Sequence, residues 1–204
     1  MTRPLPNPPL LLITDRTQAV DGLLPVVKTC VAAGCRWVSL REKDLPATEQ
    51  VDLLRALKPI LADVGGILTI HGDPDLAPLC DGVHLPDGAD IAAVRALLGP
   101  EALIGASCHD RAGVEAAARA GADYATLSPI FLTVSKPGYG PALGPAVLAD
   151  LPLPTLALGG VDAGTIAACI GAGAAGGAVM GGAMRDPSSM ALLLAATPGR
   201  KPGI

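Results

Sequence analysis

Three histidines each directly follow a short apolar run of the type that forms a β-strand. They are His71, His84 and His109. An imidazole titrates near neutral pH, so it can both accept and return a proton. Three imidazoles could also bind zinc, but no carboxylate or thiolate accompanies them at ligand spacing. Because the carboxyl ends of parallel strands meet at one edge, we predict that the three histidines share one catalytic site. Each histidine alone is also compatible with a structural role.

The segment after the second apolar run carries two cations. Side chains alternate along a strand, so Ser39, Arg41 and Lys43 share one face. Glu42 points away from that face. Two neighbouring positive charges at the end of a strand repel each other, and a bound anion offsets this repulsion. We therefore predict that Arg41 and Lys43 bind an anion. The alternative is that they pair with Glu42 or Asp44 at the rim.

The same alternation applies to the strands that carry the histidines. Thr69 shares a face with His71, and Ser107 shares a face with His109. Cys108 then faces the surrounding helices. The neighbouring cysteine and histidine are therefore not expected to act as a nucleophile and its base.

Glycines follow the last two predicted strands. One strand leads into Gly159 and Gly160, and the other leads into Met180 and Gly181. Glycine lets backbone N–H groups approach a phosphate closely, and these two loops form the usual phosphate site of barrel enzymes. We predict a phosphate site here; the alternative is tight packing of small residues.

A long loop follows the sixth predicted strand. It carries Thr133, Ser135 and Lys136 among Gly and Pro residues. This composition is typical of a mobile lid that closes over an anion. The alternative is an ordinary surface loop.

Composition limits the partners. The 204 residues are 50% hydrophobic and 2% aromatic, with a net charge of −4. A shortage of aromatic rings and positive charge argues against nucleic-acid binding. The five scattered cysteines form no CxxC pair, which indicates reduced thiols and a cytoplasmic protein. Neither a signal peptide nor a membrane-spanning run is visible, so no membrane partner is expected. A homodimer is left open.

Strand-like runs and helical segments alternate along the chain. We predict strands near 10–14, 37–41, 67–71, 82–85, 103–108, 124–128, 155–158 and 176–180. Helices fit near 22–33, 47–63, 89–98, 110–120, 162–171 and 187–196, whereas 74–79 and 144–149 are short and weak. Eight strands in strict alternation predict an α/β fold, a single-domain (β/α)8 TIM barrel over 10–198, rather than an open doubly wound sheet. We also predict that residues 1–9 form an N-terminal extension and that residues 199–204 form a disordered tail.

At this level of detail the chain resembles the thiamine phosphate synthase superfamily over nearly its whole length. The matching stretches are Leu40-Arg41-Glu42-Lys43, Asp81-Gly82-Val83-His84-Leu85, Ile104-Gly105-Ala106-Ser107-Cys108-His109, Gly121-Ala122-Asp123-Tyr124, Ser128-Pro129-Ile130-Phe131-x-Thr133-x-Ser135-Lys136 and Leu158-Gly159-Gly160-Val161. The resemblance implies a (β/α)8 barrel, a role in thiamine biosynthesis, and a thiazole phosphate held near Gly159, Gly160, Met180 and Gly181.

The departures from that pattern concern the metal. Synthases hold Mg²⁺ and a pyrophosphate with an Asn-Asp pair, where this chain has His71-Gly72. They also carry Gly-Gln-x-Asp where this chain has Pro86-Asp87-Gly88-Ala89, and a glutamine in place of Ser39. The sequence is similar instead to the TenI-type thiazole tautomerases, which share Leu-Pro after strand four and need no metal.

That similarity implies residue roles. His109 would be the general acid–base of a thiazole tautomerase, and Arg41 and Lys43 would bind the substrate carboxylate. The remaining predicted substrate contacts are Ser39, His71, His84, Ser107, Thr133, Ser135 and Lys136. Two alternatives stay open: a Mg²⁺-dependent thiamine phosphate synthase, which couples hydroxymethylpyrimidine pyrophosphate to thiazole phosphate, and a non-catalytic module that binds thiazole phosphate.

Overall fold

The computed structural model describes residues 4–132 and 141–197, and within them eight parallel strands form a closed barrel. Successive strands pair in chain order, and β1 closes on β8 with Leu10 opposite Gly177. The strands are β1 Leu10–Ile13, β2 Trp37–Leu40, β3 Ile67–His71, β4 Gly82–Leu85, β5 Leu103–Cys108, β6 Tyr124–Leu127, β7 Thr155–Leu158 and β8 Gly176–Val179. The predicted (β/α)8 TIM barrel is confirmed, and the open-sheet alternative is wrong because the two end strands pair.

The helices lie outside this barrel. They are α1 Leu23–Ala32, α2 Ala47–Ala62, α3 Ile91–Leu98, α4 Arg111–Arg119, α5 Ile166–Gly171, α6 Gly181–Arg185 and α7 Ser189–Ala196. The weak segments after β3 and β6 are short 3-10 helices, Pro74–Leu79 and Pro145–Leu148. Pro78 lies inside the first of these segments and removes an N–H group that an α-helix would use, whereas Pro145, at the start of the second, is compatible with either type of helix.

Most of the hydrophobic core lies between the strands and the helices. The residues of α1 that face it recur at helical spacing and are Leu23, Val26, Val27, Cys30 and Val31. Cys108 lies in the same layer, which confirms that it faces the helices. Burial raises the pKa of the Cys108 thiol to about 11, so this group is protonated at neutral pH. All five cysteines are free thiols.

A second apolar cluster fills the barrel interior. Trp37 and Tyr124 are fully buried there, with ring centroids 4.6 Å apart in an edge-on arrangement. Gly105 provides the space for the tyrosine, since a Cβ at this position would lie 2.1 Å from Tyr124 Cζ. The described part of the interior is therefore closely packed at the level of these two rings.

The segment before β1 covers the amino-terminal end of the barrel. Leu5 packs against the interior cluster, and the Pro9 carbonyl accepts a hydrogen bond from Gly177 N at 3.1 Å. A Cβ at Gly176 would lie 1.9 Å from that carbonyl oxygen, so glycine is required. The predicted tail at 199–204 lies outside the described residues. Within the described ranges, no helix is both long and apolar enough to cross a membrane.

Candidate active site

A cavity of about 1020 Å³ lies at the carboxyl ends of the strands. Many of the residues singled out in the sequence line it: Arg41, Lys43, His71, His84, Ser107, His109, Gly159, Gly160, Met180 and Gly181. The inward positions of β5, every second residue from Leu103, continue through Ser107 to His109, as the alternation predicts. Thr133, Ser135 and Lys136 lie outside the described residues. The cations, imidazoles and glycine loops thus surround one space.

His109 is held by the segment that follows β6. Its Nδ1 lies 2.9 Å from the carbonyl oxygen of Ser128 and 3.4 Å from the Ser128 hydroxyl. A carbonyl can only accept, so Nδ1 carries the proton. In the neutral ring Nε2 is then the basic nitrogen, the form that a general base requires.

Glu42 organises the segment that carries the two cations. Its carboxylate is 2% exposed and accepts hydrogen bonds from the Thr14 hydroxyl at 2.7 Å and from Arg16 N at 3.0 Å. The Thr14 hydroxyl in turn accepts one from Arg41 N at 2.8 Å. Glu42 therefore points away from the cavity, as predicted, and ties the end of β2 to the end of β1.

The acidic residues at this rim pair with a different cation. Arg16 donates two hydrogen bonds to Asp44, at 2.8 and 2.7 Å, and lies 3.6 Å from Glu42. Arg41 and Lys43 instead line the cavity. Among the described residues, the rim carboxylates therefore pair with Arg16 rather than with Arg41 or Lys43, and the latter two side chains border the space where a ligand would bind.

His84 is the centre of a buried hydrogen-bond network. Nδ1 lies 2.9 Å from the Tyr124 hydroxyl, and Nε2 lies 3.1 Å from Ser107 Oγ and 3.3 Å from Thr126 Oγ1. Desolvation, and then the positive charge of Lys43, lowers the pKa of His84 to about 3. This ring is therefore neutral at physiological pH, and its partners hold it in one orientation. The structural role that the sequence left open applies to His84, although the ring also borders the cavity.

His71 lies beside His84 in the register, and the two ring centroids are 5.1 Å apart. Desolvation, and then the charges of His84, Lys43 and Arg41, lowers the pKa of His71 to about 2. Its Nδ1 is buried and has no hydrogen-bond partner among the described residues. A buried polar atom without a partner costs free energy, so this nitrogen is available to a ligand in the cavity.

Ser39 was predicted to contact the substrate, but it does not border the cavity. It is fully buried, and its hydroxyl has no hydrogen-bond partner among the described residues. The register pairs Ser39 with Thr69, two residues before His71. The serine shares the inward face, as expected, but lies one layer too deep to contact a ligand.

Gly159 and Gly160, in the loop after β7, are needed for close packing, which was the alternative to a phosphate site in the sequence analysis. Gly159 and Gly160 adopt φ values of 90° and 64°, which favour glycine. A Cβ at Gly160 would lie 2.7 Å from Phe131 Cβ, and one at Gly159 would lie 2.9 Å from Pro129 Cα. These glycines are thus required by the fold itself, and their backbone also lines the cavity.

Sequence reasoning missed several residues at the site. Tyr124 and Thr126 hold His84, Ser128 holds His109, and Arg185 lines the cavity from α6. Parity along β6 could have identified Thr126 and Ser128, because they alternate with Tyr124 on the inward face. Arg185 gave no such signal, because α6 was not predicted.

Comparison with known proteins agrees with this fold. The family model described as thiamine monophosphate synthase matches residues 10–183. A putative thiamine-phosphate synthase of Geobacter sulfurreducens is 44% identical over 186 residues, which cover 87% of each chain. A thiamine-phosphate synthase of a Roseiflexus species is 35% identical over 196 residues, 90% of this chain and 83% of the other.

A solved structure gives the same result for the architecture. The thiamine phosphate pyrophosphorylase from Pyrococcus furiosus superposes with a TM-score of 0.82 at 22% identity, and the match covers 92% of this chain and 94% of that one. At this identity the likeness shows the fold alone. The family model and the two relatives together show that the chain belongs to the thiamine monophosphate synthase family.

Proposed function

We propose that this protein is a thiazole tautomerase of thiamine biosynthesis, which moves one ring proton of a thiazole carboxylate phosphate through His109. The observation that carries the proposal is the hydrogen bond from His109 Nδ1 to the Ser128 carbonyl, which makes Nε2 the basic nitrogen. The ring borders the same cavity as the two cations and the glycine loops. Arg41, which follows β2, and Gly160, which follows β7, therefore border the same cavity as His109.

The reaction is a proton shift with no change in composition. Nε2 of His109 removes a proton from one ring carbon, and the imidazolium returns a proton to another ring atom, so the thiazole becomes aromatic. Acid–base catalysis of this kind requires one group that can hold the proton between the two steps. His71 and His84 are unsuited to that task, because burial keeps both neutral. The neutral Nδ1 of His71 instead serves as a polar contact for the ligand.

The two anionic ends of such a substrate match the two sides of the cavity. Arg41 and Lys43 bind the carboxylate and offset the negative charge that develops when the ring loses its proton. The backbone of the loops after β7 and β8 binds the phosphate. An anion of this size fits a cavity of about 1020 Å³ with room for water.

The second candidate is thiamine phosphate synthase, and the names of the relatives favour it over the tautomerase. The proteins from Geobacter sulfurreducens and Roseiflexus carry that name, the first as putative. In this reaction the thiazole phosphate would occupy the same glycine loops, and pyrophosphate would leave from the pyrimidine substrate.

The residues present do not fit the Mg²⁺ that the synthase reaction uses. Among residues 4–132 and 141–197, no three His, Cys, Asp or Glu side chains are grouped so that they could hold a metal ion. The carboxylate of Glu42 is occupied by Thr14 and Arg16, which leaves Asp87 as an exposed carboxylate near the histidines. Mg²⁺ prefers several oxygen ligands at one point, whereas the three carboxylates that border the cavity, Asp87, Asp162 and Asp186, form no such group among the described residues.

One experiment separates the candidates. The purified protein is assayed in parallel for tautomerisation of thiazole carboxylate phosphate and for coupling of hydroxymethylpyrimidine pyrophosphate to thiazole phosphate, each with Mg²⁺ and with EDTA. Tautomerisation that is insensitive to EDTA supports the proposal. Mg²⁺-dependent coupling without tautomerisation establishes the synthase, and tight thiazole phosphate binding without either turnover establishes the non-catalytic module.

A further inference from the structure

Arg185 has no role in the chemistry described above, yet it borders the cavity at the end of α6. Its guanidinium lies directly over Gly181, since a Cβ on that glycine would be 2.8 Å from Arg185 Nη1. Gly181 is the first residue of α6, with only Met180 between it and the end of β8, and the proposed function assigns the phosphate to this junction. The arginine is therefore adjacent to the expected position of a doubly charged anion.

The position of this guanidinium is set by the first loop of the barrel. Arg185 Nη1 donates a hydrogen bond to Gln18 Oε1, and Gln18 Nε2 donates one to Asp15 Oδ2 at 2.6 Å. Asp15 is held in turn by the Thr17 hydroxyl at 2.6 Å. A Cβ at Gly181 would also lie 2.6 Å from Gln18 Oε1, so glycine is what allows this chain of contacts to cross the loop.

The charge of Arg185 is not neutralised within the described residues. The ion pairs found there involve Arg16, Arg55 and Arg95, and Arg185 forms none. A guanidinium has five N–H donors, and a neutral amide oxygen accepts one of them here.

Two carboxylates at the same rim are committed to other donors. Asp162 Oδ1 accepts hydrogen bonds from Gly164 N at 2.9 Å and Thr165 N at 3.0 Å. Asp186 Oδ1 accepts one from Ser188 N at 3.1 Å. Each carboxylate therefore stabilises its own turn, and the remaining donors of Arg185 have no acceptor among these groups.

We propose that Arg185, positioned by Gln18 and Asp15, is a binding residue for the phosphate group of the ligand and makes the site selective for the phosphorylated thiazole. This inference rests on the proposed function, since it takes the phosphate to bind at the loops after β7 and β8. A planar guanidinium can donate two parallel hydrogen bonds to phosphate oxygens, whereas an alcohol offers no charged partner. The side chain thus adds charge to a site otherwise built from backbone N–H groups.

The test measures binding by calorimetry on the full chain. The probes are methyl-hydroxyethylthiazole phosphate and the same thiazole without its phosphate. For Arg185→Gln we expect about 5- to 30-fold weaker binding of the phosphate form and unchanged binding of the alcohol, as for loss of a charge-assisted hydrogen bond. Arg185→Lys retains the charge but loses the fork and gives an intermediate value. Arg55→Gln, an exposed arginine of α2, is the matched control and binds both probes like the wild type.

A second variant tests the positioning. Gln18→Ala keeps the charge of Arg185 but removes the acceptor that holds it, so we expect a smaller loss, again confined to the phosphate form. If Arg185→Gln binds both probes as the wild type does, the arginine has no part in phosphate recognition. If the wild type itself does not distinguish the two probes, the phosphate site of the proposed function fails and this inference fails with it.

Discussion

The Nδ1 atom of His109 lies 2.9 Å from the carbonyl oxygen of Ser128. This one contact joins the end of β5 to the segment after β6 and decides which nitrogen of the ring is basic. A carbonyl at that position keeps the proton on Nδ1 through every turnover. The chemistry of the site is therefore assigned to Nε2.

Replacement of His109 tests that assignment. We expect His109→Ala to lower the rate of tautomerisation by ~10²–10⁴-fold, the usual contribution of a general acid–base. The affinity for methyl-hydroxyethylthiazole phosphate should change little, because the imidazole acts on the ring proton. Steady-state kinetics and calorimetry on the same preparation give both values. Near-normal turnover in this variant would remove His109 from the mechanism.

The two cations of the cavity are tested by ligand charge. We expect Arg41→Met and Lys43→Met each to weaken binding of thiazole carboxylate phosphate by about 10- to 100-fold, as for loss of a hydrogen bond to a charged group. The thiazole phosphate that lacks the carboxylate should lose much less. Arg16→Met is the control, because Arg16 pairs with Asp44 and does not border the cavity. Equal losses for both ligands would place the carboxylate elsewhere.

The buried histidines predict how stability depends on pH. Burial lowers the pKa of His71 to about 2 and that of His84 to about 3. Between about pH 6 and pH 4.5 the unfolded chain binds protons on both residues while the folded chain does not, so acid favours unfolding. The free energy of unfolding should fall by roughly 2–3 kcal/mol per pH unit in this window.

Urea unfolding at several pH values measures this slope. His84→Gln removes one of the two titrating groups and should reduce the slope by roughly 1.4 kcal/mol per pH unit. The window stops at about pH 4.5, because below it Asp15 and Asp44 also contribute to the pH dependence of the free energy of unfolding. Hydrogen bonds from Thr17 and Arg16 lower the pKa values of these two carboxyl groups in the folded chain. An unchanged slope in His84→Gln would show that this ring does not cause the dependence.

The contact between Gly105 and Tyr124 predicts a large packing effect. Gly105→Ala would place a methyl group 2.1 Å from Tyr124 Cζ, so the ring and its hydrogen bond to His84 must move. We expect a loss of about 1–3 kcal/mol or more in the free energy of unfolding, as for overpacking of a rigid interior. Gly171→Ala is the control, since a Cβ there meets nothing within 4 Å. Similar values for the two variants would contradict the tight packing described for the interior.

Much of the site could be predicted from alternation along the strands. His71, Ser107 and His109 face inward at the strand ends because side chains alternate with a period of two. Alternation does not predict how deep in the barrel a residue lies. Ser39 shares their face, but it pairs with Thr69 rather than with His71, and the stagger between neighbouring strands that sets this level leaves no trace in a single sequence.

Contacts between distant segments were also beyond prediction. The network around His84 depends on Tyr124, which is 40 residues away along the chain. Its formation depends on strand order and barrel closure, which local patterns do not encode. The same applies to Arg185, whose helix is only five residues long and begins with two glycines directly after Met180. Pro78 explains why the weak segment at 74–79 forms a 3-10 helix.

Within the described residues, Trp37 and Tyr124 fill the barrel interior and Leu5 packs against their cluster, so the cavity opens at the carboxyl ends of the strands. The substrate enters and the product leaves at this end, so a bound product prevents the next substrate molecule from binding. The product should therefore act as a competitive inhibitor with respect to the substrate, because both molecules occupy the same cavity.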